Sequence, residues 1–152
     1  MVAIDDEDRV LLVRQWRTPA DRVLLEIPAG TLDTDEHGAI EDPDLAARRE
    51  LEEETGYRAA SWRKLASFWT APGFASELMH LYLATGLSAA HPDQRLGPDE
   101  DEHLRLERRP FADALAAVED GEIADAKSIA GLLWVARLRQ GSAGPSRASA
   151  PE

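Results

Sequence analysis

Two patterns of apolar residues divide the chain. In some stretches apolar and polar residues alternate or run together over a few positions; in others they recur at a helical period. Met1–Ile4 and Arg9–Arg14 are short apolar runs on either side of the acidic turn Asp5–Asp8, which predicts two hairpin strands. Val23–Ile27 predicts a third strand that stops at Pro28-Ala29-Gly30. Trp62–Trp69 and Glu77–Leu83 alternate as strands do, with Ala71-Pro72-Gly73-Phe74 breaking them apart, and His103–Arg109 is a further candidate. Three segments read as helices: Pro43–Thr55, Pro110–Glu119 with Phe111, Ala114, Leu115 and Val118 on one side, and Ser128–Gln140. Ser88–Glu102 reads as a loop, and the Ser, Ala, Gly and Pro of 141–152 predict a disordered tail. Strands interleaved with helices predict an α/β sandwich with a mixed sheet, as one domain over residues 1–140. Trp69 and Trp134 are expected in its core.

Composition narrows the partners. A net charge of −12 opposes binding to a phosphate backbone, so nucleic acid is not an expected partner. A small anionic substrate remains compatible where metal ions reverse the local sign. The chain has no cysteine, which removes disulfides and thiol chemistry and suits a reducing cytoplasm. Its longest uncharged apolar run, Ile129–Ala136, is too short to span a bilayer, so no membrane role is expected.

Chemistry concentrates in the first helix. Asp42 is placed to cap it, Pro43 suits its first position, and Gly56 suits a left-handed stop. At about 100° per residue, Glu50 and Glu54 stack one turn apart and Glu53 lies about 60° to the side of Glu50. Carboxylates crowded on one stripe repel each other, which gives a helix nothing in itself. The run reads equally as a solvated acidic face or as oxygen ligands for a hard divalent cation.

The flanking residues add a resemblance. Arg49-Glu50-Leu51-x-Glu53-Glu54-x-Gly56-Tyr57, with Glu41 eight residues before Arg49, resembles the Nudix box of hydrolases that act on nucleoside diphosphates linked to another moiety. The spacing departs from the family at one place. Gly30 is the opening glycine, and the loop before the helix is longer than the box allows, with Thr34–Ala39 the expected insertion. Both Glu36 and Glu41 fit as the first box glutamate; Glu41 is preferred because Asp42-Pro43 follows it directly.

Further segments are similar to the ADP-ribose pyrophosphatase subgroup: Leu25-Glu26-Ile27-Pro28-Ala29-Gly30, and Pro72 sixteen residues after Gly56 within Ala71–Glu77. The resemblance implies an α/β/α sandwich and hydrolysis of ADP-ribose to AMP and ribose 5-phosphate with Mg²⁺, or with Mn²⁺ or another divalent ion. It implies metal binding by Glu50, Glu53, Glu54, the Ala29 carbonyl and Glu102, and a general base at Glu100 in the acidic run Asp99–Glu102. It implies catalytic roles for Glu53 and Arg49, box-structural roles for Gly30, Glu41 and Gly56, and substrate contacts from Arg17, Glu26, Pro72, Gly73 and Glu77. A homodimer is implied too, although the N-terminal extension that such enzymes carry ahead of the first strand is absent from this sequence. GDP-mannose is the competing nucleoside diphosphate sugar. A sensor that binds such a sugar without cutting it is the reading from another class, and intact box charges at Arg49, Glu50, Glu53 and Glu54 argue against it.

Overall fold

The computed structural model describes residues 1–90 and 104–142. Its elements are β1 (Val2–Ile4), β2 (Arg9–Arg17), β3 (Arg22–Glu26), α1 (Pro43–Thr55), β4 (Tyr57–Trp69), β5 (Leu78–Ala89), β6 (Arg105–Pro110), α2 (Phe111–Glu119) and α3 (Ala126–Ser142).

Six strands form one mixed sheet in the order β3-β2-β1-β5-β4, with β6 also on β2. β1 runs parallel to β5, pairing Val2 with Leu83 and Ile4 with Thr85. The other pairings are antiparallel, so the expected mixed sheet is present. Val13 and Arg14 pair with both β3 and β6, which places those strands on opposite edges of β2. The β4–β5 hairpin is longer than the alternation predicted, extending back to Tyr57 and on to Ala89 around an irregularity at Lys64/Ala66.

Alternation decides which residues face which layer. Val2, Ile4, Val10, Leu12, Leu25 and Ile27 meet Phe111, Ala114, Leu132 and Val135 of α2 and α3. Met1, Ala3, Leu11 and Ala84 turn to the other face and meet Ala47 and Leu51 of α1. β1 is therefore buried on both faces, as a strand with helices above and below must be. Two of the tryptophans depart from expectation. Trp69 is 54% and Trp134 44% exposed, so neither fills the core. Each lies at a margin where the period places a residue but apolar character does not choose its side.

The helix boundaries follow local chemistry. The Asp42 carboxylate accepts from Asp44 N at 2.7 Å, and Gly56 takes φ 70° while its N–H donates to Glu52 O at 2.7 Å. These match Pro43–Thr55 as read from sequence. α3 instead starts earlier than expected, because Asp125 is its cap: Asp125 Oδ2 accepts from Ser128 N at 3.1 Å. The same helix continues through Gly141 and Ser142, and the rest of the expected tail lies outside the described residues.

Candidate active site

Four elements meet at one end of the sheet: the Pro28–Thr31 segment after β3, the inner face of α1, the start of β5 and the N-terminus of α3. Between them lie two adjoining cavities of about 230 and 490 Å³, both lined by Ala29, Gly30, Thr31, Glu50, Glu77 and Lys127.

Arg49 organises the acidic stripe. Its Nη1 contacts Glu53 at 2.7 Å and Glu50 at 2.9 Å; its Nη2 reaches Glu41 at 2.9 Å and the Thr31 carbonyl at 3.2 Å. Bonding to Arg49 holds the Glu41 carboxyl below the usual carboxylate range. The same carboxylates keep the Arg49 guanidinium firmly charged, chiefly through Glu41. Of the two candidate first glutamates, Glu41 reaches Arg49, whereas Glu36 stands in solvent beside His37. The extra residues of this loop fold onto themselves. Asp35 accepts from His37 N and Ala39 N, Gly38 adopts φ 81°, and Thr34 bridges to Ile40. The insertion thus leaves the Glu41–Arg49 pair within reach.

Glu54 accepts from Ala29 N at 3.0 Å, which locks the turn after β3 to the last turn of α1. Glu50 lies against the backbone at Gly30, where a Cβ would fall 1.9 Å from the Glu50 carboxyl carbon. A side chain at residue 30 would therefore displace the Glu50 carboxylate. Glu52 faces elsewhere, paired with Arg58 at 2.7 Å. The carboxylates of Glu50, Glu53 and Glu54 and the peptide oxygen of Ala29 are hard donors, the type Mg²⁺ and Mn²⁺ accept. The space left at Gly30 lets one of them come close to that backbone, so the donor set fits such an ion. Among the described residues, no three carboxylates or imidazoles yet converge on one point, since Arg49 draws Glu50 and Glu53 to itself.

Opposite the stripe stands a charge cluster. Glu26, at the end of β3, is 1% exposed and accepts from Arg17 Nε at 3.0 Å and Arg17 Nη2 at 2.7 Å. Lys127 Nζ also bonds Glu26 Oε2, and it contacts Asp125 Oδ2 at 3.0 Å. Burial raises the Glu26 carboxyl, but its bonds to Arg17 and Lys127 outweigh that and hold it below its ordinary value. Arg17, Glu26, Asp125 and Lys127 all line the larger cavity.

Of the expected substrate contacts, Arg17, Glu26 and Glu77 line a cavity, while Pro72 and Gly73 sit in the exposed β4–β5 turn and line neither. Gly56 is the α1 stop. Glu100 and Glu102 lie outside the described residues. Sequence reasoning missed Lys127 and Asp125. The signal was present: an Asp three residues before Ser128 is a capping pattern, and it places Lys127 in the first turn of α3.

The family model of the NUDIX domain matches residues 1–132 of this chain. The ADP-ribose pyrophosphatase of Bacillus subtilis (strain 168) is 42% identical over 128 residues, covering 84% of this chain and 65% of that protein. The GDP-mannose pyrophosphatase of Cronobacter sakazakii is 36% identical over 130 residues, covering 82% of this chain and 64% of that protein. This chain thus spans just under two thirds of the length of either relative. A solved structure described as an ADP compounds hydrolase superposes with a TM-score of 0.77 at 26% identity, over 93% of this chain and 72% of that one. With the family match running through both core layers and the whole acidic helix, the chain belongs to the Nudix family.

Proposed function

We propose that this protein hydrolyses the diphosphate bond of ADP-ribose, giving AMP and ribose 5-phosphate, with Mg²⁺ or Mn²⁺ as cofactor. The observation that carries this reading is the pairing of two walls. Glu50 and Glu53 of α1 line a cavity of about 490 Å³ that Arg17 also lines, its partner Glu26 being shared with Lys127. A diphosphate is held by cations, and here one is the Arg17 guanidinium while the other would be metal held by carboxylates.

Glu50, Glu53, Glu54 and the Ala29 carbonyl would hold the ion, with Glu102 joining them. When bound, a divalent ion screens the diphosphate and lowers the pKa of its water. Arg17 orients the phosphate by charge-assisted hydrogen bonds. Arg49 and Glu41 keep the stripe ordered, Glu53 lies beside the reacting centre, and Glu100 takes the proton of the attacking water. The oxygen of that water joins phosphorus as the bridging P–O bond breaks. Trp16 and Val23, cross-strand partners on the β2–β3 hairpin, are both more than half exposed and offer apolar surface for a homodimer.

The relative named for GDP-mannose supports a second substrate of the same chemical class. A panel of ADP-ribose, GDP-mannose and other nucleoside diphosphate sugars, incubated with Mg²⁺ and resolved by chromatography, tests both. AMP and ribose 5-phosphate from ADP-ribose are expected as the dominant products. Glu50→Gln and Glu54→Gln are expected to lose most of the turnover while melting as the parent does; wild-type rates in both would remove the metal-dependent reading.

A further inference from the structure

The cluster around Glu26 contains one more cation than a simple ion pair needs. Glu26 is buried, and a single arginine would satisfy its charge and both its oxygens. Yet Lys127, from the far end of the chain, also donates to Oε2. Asp125 does not use up this second cation alone. Its Oδ2 also takes the Ser128 amide at the N-terminus of α3, where backbone N–H groups stabilise a carboxylate.

The two cations differ in their freedom. The Arg17 side chain is 38% exposed and Lys127 13%. Arg17 Nε and Nη2 are engaged by Glu26, and Nη1 makes no bond among the described residues while the residue lines the larger cavity. If Arg17 were the only cation at Glu26, turning it toward a substrate phosphate would strand a buried carboxylate, which is strongly unfavourable. With Lys127 in place, the charge of Glu26 stays matched after Arg17 leaves.

We propose that Lys127 is a positioning residue that holds the charge of Glu26 and thereby frees Arg17 to exchange Glu26 for a phosphate of the bound nucleoside diphosphate. This rests on the reading of the cavity as a diphosphate-hydrolase site. Lys127 acts through Arg17 and does not itself replace a phosphate ligand.

Kinetics of Lys127→Met, Arg17→Ala, Glu26→Gln and the doubles Glu26→Gln/Lys127→Met and Arg17→Ala/Lys127→Met test the proposal, each protein being checked by its melting temperature. Lys127→Met is expected to raise KM for ADP-ribose about tenfold with kcat little changed, the scale of one lost charge-assisted hydrogen bond. Glu26→Gln removes the buried charge, so Lys127→Met should raise KM less in the Glu26→Gln background than it does in the parent. In the Arg17→Ala background, Lys127→Met should add no further increase. A Lys127→Met enzyme with parental KM overturns the proposal, as does an equal rise in KM from Lys127→Met in the parent and in the Glu26→Gln background, since that marks direct contact between Lys127 and phosphate. A parent protein that turns over no nucleoside diphosphate sugar overturns the functional reading and this proposal with it. Parental turnover with an unaffected Lys127→Met removes this proposal alone.

Discussion

The Glu50 carboxylate occupies the space in which a side chain at residue 30 would begin: its two oxygens lie 2.0 and 2.1 Å from the position of a Gly30 Cβ. A methyl group cannot share that volume. The cost falls on Glu50, which is the far end of a flexible side chain and can swing away, so the fold loses little. The expected outcome for Gly30→Ala is a stability change of about 1 kcal/mol or less with most metal-dependent turnover gone. Urea denaturation beside a Mg²⁺ titration of activity checks this, and a variant that keeps full activity would show that Glu50 works from another position.

Arg49 sits among three glutamates, Glu41, Glu50 and Glu53, and removing it leaves their charges facing one another. Arg49→Ala should lose about 1.5–3 kcal/mol, the range for hydrogen bonds to charged groups. A divalent ion taken up by the freed carboxylates would offset part of that loss. The melting temperature of Arg49→Ala should therefore rise more on adding Mg²⁺ than that of the parent. Equal increments would count against metal binding at the stripe.

The caps of α1 carry the same stripe from outside. Asp42→Ala should cost about 1 kcal/mol through the lost bond to Asp44 N. Gly56→Ala should cost about 1–2 kcal/mol, because Gly56 sits at φ 70° and an L side chain is strained there. Both are read by urea denaturation. Glu53 and Glu54 lie in the last turn, so Gly56→Ala should also raise the Mg²⁺ concentration for half-maximal activity more than Asp42→Ala does.

What made this helix legible in the sequence was chemistry at its ends. Asp42, Pro43 and Gly56 each permit few conformations, so Pro43–Thr55 could be read to the residue. The strands carry no such markers. Tyr57–Ala60 continues β4, but its small and polar residues hide the alternation that revealed Trp62–Trp69. Leu45 precedes the buried Ala46 and Ala47 in α1 yet is 61% exposed, since period alone does not fix how far a face wraps. In the site, the box residues were legible because their spacing is set by one helix. The Glu26–Lys127 contact was not, because it joins positions 101 residues apart through the packing of α3 on the sheet.

Acid stability offers a test away from the stripe. Arg109 and Arg14 hold the Glu122 carboxyl down at about 2, well below an unfolded glutamate. A group whose pKa is depressed by folding adds stability above its unfolded pKa and loses it as pH falls toward the folded one. Glu122→Gln should therefore be less stable than the parent at pH 7, by a small margin because the pair is part-exposed and screened. That margin should shrink between about pH 4.5 and 2, which melting temperatures across a pH series would register. A margin constant through that window would mean that the ion pair contributes nothing.

Gly131 on α3 sets two effects of opposite sign against each other. In a helix interior, alanine is favoured over glycine by about 0.8–1 kcal/mol, and it also restricts the unfolded chain. But a Cβ at this position would meet Val2 Cγ2 at 2.8 Å, Ile27 Cδ1 at 3.1 Å and Leu81 Cδ1 at 3.3 Å. Val2 is fully buried in β1, between the helix layers, and its methyl group has nowhere to retreat. Overpacking of this kind typically costs about 1–3 kcal/mol, which exceeds the helical gain over most of its range. Gly131→Ala is thus expected to destabilise the protein by about 1 kcal/mol in urea. Shaving the obstacle should reverse the sign: in a Val2→Ala background, the change at residue 131 should become neutral or stabilising, because the tightest contact is gone and the Ile27 and Leu81 side-chain ends need give only slightly. Gly131→Ala that stabilises the otherwise unaltered protein would show that α3 can lift from the sheet at little cost.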